Sequence, residues 1–288
     1  MSYLNDLESE LSATGIPTRR RRRILAEFAD HLHEDPSAQL GAPRDLARQF
    51  ADELGTRLAR SSAYRAFAAL AFCGIGLAVM FVAVGRMRGL TLQGQTQTPT
   101  PSWTAPILLV AALAAQVALA AGGLALLRAW RLRRQRVISS RDATVLARRS
   151  ALGMFSGALT LAALPACALA FPRAAGHTWT TFAWVIAGLG IASLLATTPA
   201  LIGSLRLRPD VDGHAGDLID DLGGWVPRGF TPIRVALVLA LVIVVVLSAA
   251  GVATADPYDG ILRGIADALA CMTGFIVLGR YLGLRTAS

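Results

Sequence analysis

Apolar positions in the first sixty residues recur at helical spacing in three short blocks. Leu4, Leu7 and Leu11 form the first, ended by Gly15-Ile16-Pro17. Ile24, Leu25, Phe28 and Leu32 form the second, ended by Pro36, and Leu46, Phe50, Leu54 and Leu58 form the third, opened by Pro43. Three stripes facing one another predict a small helical module with a thin core. Further along, the stripes give way to continuous apolar runs. Six runs, at residues 66–84, 105–127, 151–171, 181–205, 233–253 and 261–278, come close to or exceed the roughly 20 residues a helix needs to cross a hydrocarbon layer of about 30 Å. The expected fold is all-α: a three-helix module at residues 1–62, then a six-helix transmembrane bundle at 63–288.

No proline stands between Pro43 and the end of the first run, and only Gly55 and the Ser61-Ser62 pair weaken the stretch. The third helix of the module is therefore expected to continue into the first span. Pro165 and Pro199 are expected to kink the third and fourth spans.

Composition agrees with this pattern, since 54% of the 288 residues are apolar and 16% are charged. The net charge of +9 comes from 28 arginines, with no lysine, against 19 carboxylates. With the N-terminus inside, 24 arginines fall on the cytoplasmic side of the six runs and only Arg86, Arg88, Arg173 and Arg263 fall outside. Positive flanks are retained in the cytoplasm, so the chain reads as a multi-pass bacterial inner-membrane protein with both termini cytoplasmic. The polar first 65 residues have no apolar segment near the start, which speaks against a cleaved signal peptide.

Chemistry-bearing residues are sparse. Cys73, Cys167 and Cys271 lie in three different runs, with no spacing for a disulfide framework or a zinc site. His31 and His33 are two apart, so a helix points them to different faces. No nucleophile-base pair or phosphate-binding glycine loop is present, and the expectation is a non-enzymatic chain without cofactor or metal.

Two arginine clusters are candidate contacts for anionic lipid or an acidic partner. The first is Arg19, Arg20, Arg21, Arg22 and Arg23. The second, Arg131, Arg133, Arg134 and Arg136, belongs to an inner loop at residues 128–150 whose default role is topological. For the first cluster the alternative is a solvated helix end paired with Glu27 and nearby acids. Residues 1–60 carry nine arginines and ten carboxylates, a balance that speaks against direct nucleic-acid binding. The next inner loop collects Asp210, Asp212, Asp217, Asp220 and Asp221, acids expected to pair with the 128–149 arginines. In the last run, Arg263 and Asp267 stand four apart on one helix face, as a neutralised pair or as a polar site in a transport path.

The order YLNDLESEL, RRRILAEFADHLHED, LGAPRDLARQFADEL resembles the HAAS-type signalling domain that precedes membrane spans in many bacterial proteins. The resemblance rests on Tyr3-Leu4, on Phe28 and His31-Leu32 with their trailing acids, and on the Gly41-Ala42-Pro43 turn into Leu46-Ala47. Where the family has more acids before its second helix, this chain has arginines. The resemblance implies a regulatory module with a cytoplasmic partner, in some relatives a PadR-type transcription regulator. A small-molecule exporter or permease component, and a scaffold for envelope growth or division, are the alternatives from other classes.

Overall fold

The computed structural model describes residues 2–35, 40–87, 104–170 and 172–213, with isolated positions between 221 and 273. Among the described residues every regular element is helical. The helices are α1 (Ser2–Ala13), α2 (Thr18–Glu34), α3 (Pro43–Met87), α4 (Thr104–Arg131), α5 (Ser140–Ala170), α6 (Pro172–Leu195) and α7 (Thr198–Arg206).

The end of α1 follows from its last residues. Gly15 takes φ 78°, which only glycine adopts at little cost. Its N–H donates to Ser12 O (3.0 Å) and the Ile16 N–H to Leu11 O (3.3 Å). This is a Schellman closure, and its usual apolar contact is made by Leu11 and Ile16, both buried. Pro17 then sets the start of α2. At the opposite end of α1, the Tyr3 hydroxyl donates to Gly41 O (2.8 Å), fastening α1 to the turn that feeds Pro43 into α3. Burial raises the Tyr3 hydroxyl from its ordinary pKa.

Leu7, Leu11, Ile16 and Ala47 form the buried centre of this first region, and Leu207, from beyond α7, completes it. Of the other residues expected in its core, Leu25, Phe28, Leu46, Phe50 and Leu54 pack around it partly buried, and Phe28 meets Phe50 edge to face at 6.0 Å. Leu4 and Leu32 are half-buried. No residue of α2 is fully buried.

Helix α3 is unbroken over 45 residues, roughly 68 Å at 1.5 Å per residue. Its N-terminal third carries the module and its remainder packs in the bundle, so the expected boundary at residues 62 and 63 falls inside one helix.

The bundle of α3 to α7 packs on small residues. Ala66, Ala69, Ala118, Ala121, Ala125, Ala183 and Ala187 are buried, and Leu70 of α3 fills a notch lined by Gly122, Gly153 and Gly157. Pro165 lies inside α5. The fourth run is interrupted at Ala196-Thr197, with Pro199 in the first turn of α7. Large apolar side chains face outward, including Phe72, Leu119, Phe155, Trp184 and Leu189.

One expectation is corrected. Residues 128–150 were expected to form a loop, but α4 runs to Arg131, a 3-10 turn covers Leu132–Arg134, and α5 begins at Ser140. No glycine or proline occurs between residues 124 and 152 to break the helices. Ser139 caps α5 reciprocally with Asp142, whose N–H donates to Ser139 Oγ (3.0 Å) while the hydroxyl donates to Asp142 Oδ2 (2.8 Å). Of the six expected spans, two stretches among the described residues are long and apolar enough to cross a membrane, Leu113–Arg134 and Thr181–Arg206. They match the second and fourth runs. The first and third runs are helical within α3 and α5, while the last two, with Arg263 and Asp267, lie outside the described residues apart from isolated positions.

Candidate functional site

The polar groups that converge in the described structure do so where the module, the α4–α5 connector and the segment after α7 meet on one stretch of α3. Leu207 enters the module core, and its carbonyl oxygen lies against Gly55; a Cβ added there would stand 1.9 Å from that oxygen, so only glycine fits. Pro209 beside it is fully buried. The Asp210 N–H then donates to Asp52 Oδ1 (2.8 Å), and Arg48 pairs with the Asp210 carboxylate. The segment after α7 is thereby laid over two turns of α3.

The connector docks on the next turn of the same helix. The Ile138 N–H donates to the buried Thr56 hydroxyl (3.1 Å), and Arg136 Nε pairs with Glu53 Oε1 at 2.9 Å. Arg60 donates to Arg133 O (2.9 Å) and to Gln135 O, closing the 3-10 turn onto α3. Burial lowers the Arg60 guanidinium from its ordinary pKa, with Tyr64 acting in the opposite direction. The connector and the post-α7 segment also bind each other, through Ser140 N–H to Val211 O at 3.0 Å.

Beside this joint lies a buried charge network. Arg128, on the last turn of α4, donates through Nε and Nη2 to Asp142 Oδ1 (3.1 and 2.8 Å) and through Nη1 to Asp221 Oδ2 (3.3 Å). Arg149, one turn before the apolar part of α5, donates to the same Asp221 oxygen (2.7 Å) and to Leu124 O (3.1 Å). The side chains of Arg128, Arg149 and Asp221 are 2%, 0% and 1% exposed, so this network is shielded from water and salt. Arg131 Nη1 stands 3.9 Å from Asp221 Oδ1, half in solvent. Burial raises the Asp221 carboxyl from its ordinary pKa, and the charges of Arg128, Arg149 and Arg131 oppose that shift. Pairs of this kind add little net stability, because desolvation offsets their attraction, yet removing one partner leaves an uncompensated buried charge.

The expected pairing between the two inner segments is thus present, carried by Asp221 on Arg128 and Arg149. Of the arginines singled out in sequence, only Arg131 reaches the edge of this network. Arg133 stacks over Trp130 (4.7 Å), Arg136 holds Glu53, and Arg134 is exposed. In the first cluster Arg19, Arg20, Arg22 and Arg23 are exposed and Arg21 is half-buried. Among the described residues only Arg23 of this cluster pairs with a carboxylate, Glu27 at 3.0 Å. Gly55, Thr56, Arg60 and Leu207 carry no motif that would have marked them.

Nothing in the joint arranges a nucleophile with a base, and among the described residues no three His, Cys, Asp or Glu side chains are grouped to hold a metal ion. The polar contacts of the joint tie the module to the α4–α5 connector and to the segment after α7. Comparison with protein-family models, with curated proteins and with solved structures returns no match.

Proposed function

We propose that this chain is a regulatory inner-membrane protein: six spans anchor it, both termini are cytoplasmic, and the N-terminal HAAS-like module binds or restrains a cytoplasmic partner. The observation that carries the reading is α3, one helix shared by the module core and the apolar bundle. A change of partner occupancy at the module would move the first membrane helix, and a change in the bilayer would move the module.

The outward side chains support the membrane part. Among the described residues every exposed large apolar side chain lies at residue 64 or beyond. Only 28% of the apolar window in Thr181–Arg206 is buried, whereas the core helix of a water-soluble protein is buried over most of its length. Alanine and glycine at the helix contacts suit association in lipid, where close backbone approach supplies the attraction. The HAAS-type resemblance supports a cytoplasmic regulatory protein as the partner, which in some relatives is a PadR-type regulator. No enzymatic chemistry is assigned.

The test is site-specific photo-crosslinking in cells from exposed module positions such as Asp6 and Arg44, paired with a flexible Gly/Ser insertion at residues 61–63. The expected result is a single soluble protein adduct whose yield changes with the insertion. Absence of any protein adduct, together with altered small-molecule flux when the gene is deleted, overturns the reading in favour of a transporter.

A further inference from the structure

Helix α2 opens with five consecutive arginines, and the structure decides between the two roles they have. A solvated, self-neutralised helix end needs acids beside it. Among the described residues, no carboxylate lies within ion-pair distance of Arg19, Arg20, Arg21 or Arg22, and Arg21 reaches only the Thr18 hydroxyl (3.3 Å). Among the described residues these four guanidinium groups have no ion-pair partner, and they stand on a helix that buries none of its residues completely.

Their place in the fold identifies what compensates them. Ile16, three residues before the run, is buried against Leu207, the residue that ends α7, and Gly15 approaches the same side chain. Leu207 is flanked by Arg206 and Arg208, both exposed. On the membrane reading, α7 is the inner half of the fourth span, so its end lies at the headgroup level. The arginine run starts beside that end, where phosphate-bearing headgroups supply negative charge. An acidic protein would supply charge too, but nothing would tie it to the end of a membrane helix.

We propose that Arg19, Arg20 and Arg22, exposed around the first turn of α2, together with Arg206 and Arg208 supply the positive charge that seats the module on the anionic inner surface of the bilayer. This rests on the membrane reading above. Each arginine at such a leaflet raises surface occupancy about fivefold, and the attraction falls within a Debye length. Seated in this way, the module is held against the leaflet through α2 as well as through α3. Helix α2, lightly held by protein contacts, is the element whose order then depends on lipid charge.

The experiment is hydrogen–deuterium exchange on the full-length chain in nanodiscs of phosphatidylcholine alone or with phosphatidylglycerol. With phosphatidylglycerol, exchange over residues 18–34 slows by about fivefold or more, and the effect disappears at about 1 M salt, where the screening length is ~3 Å. The triple variant Arg19→Gln, Arg20→Gln, Arg22→Gln removes the dependence and leaves exchange over residues 2–13 unchanged, showing that the module stays folded. Equal exchange in the two lipid compositions, or lipid protection that persists in the variant, overturns the proposal. If a soluble acidic protein protects residues 18–34 where phosphatidylglycerol does not, these arginines serve that partner. A chain that remains soluble without detergent or nanodisc refutes the membrane reading itself, a different failure from insertion without lipid-charge dependence.

Discussion

The module and the bundle follow opposite packing rules within one continuous helix. In the module Leu7 and Leu11 are buried and the arginines of α2 face outward. In the bundle many alanines and glycines pack around a few buried large side chains, Leu70, Met154, Leu161 and Leu194, while Phe72, Leu119, Phe155, Trp184 and Leu189 face outward. The first arrangement is what water imposes, because burying large apolar side chains is the main gain on folding. The second gains little from water exclusion between helices and relies on backbones coming close, which small residues permit. The crossover lies along α3, between Leu54, packed on the module core, and Ala66 and Leu70, packed in the bundle. The joint of polar contacts lies on that same stretch.

The comparison can be broken most severely at the charge network, which belongs to neither packing style. Asp221→Ala leaves Arg128 and Arg149 buried beside each other and should cost about 3–5 kcal/mol, read as loss of thermal stability in detergent. Next in size is one substitution made in both regions. Leu11→Ala removes a buried module leucine and should cost about 2–5 kcal/mol, whereas Leu189→Ala, at a side chain 57% exposed, should change stability by no more than about 0.5 kcal/mol. Equal costs would show that the two regions do not differ in kind.

A smaller effect is expected at the joint. Gly55→Ala places a methyl group against the Leu207 carbonyl and should cost about 1–3 kcal/mol, with faster amide exchange over residues 132–138 as the signature of a loosened connector. The smallest is Glu27→Gln, which removes the exposed partner of Arg23; urea unfolding should register only about 0.3–0.5 kcal/mol.

How much of this was readable from sequence depended on whether a feature is local. The break at Gly15-Ile16-Pro17, the start at Pro43 and the continuity of α3 follow from breakers and their absence, and each appears in the fold. The pairing of inner acids with inner arginines was readable as charge, though not which arginines would be buried. Arg128 and Arg149 look like their neighbours in sequence, and only the packing of α4 on α5 turns them inward. The Gly55 contact left no trace, because its partner is a backbone carbonyl far along the chain and glycine contributes no side chain to the pattern. Residues 128–150 misled because an arginine cluster signals sidedness and says nothing about helix or loop.

The uninterrupted α3 has a consequence of phase. Each residue added to an α-helix turns everything beyond it by about 100°, and seven residues return it to within ~20° of its starting direction. The azimuth of the module about the rest of α3 is therefore set by the number of residues separating them, so lengthening the helix near residue 62 should act periodically on anything that couples the two, with near-recovery at a heptad, where a hinged connection would register length alone.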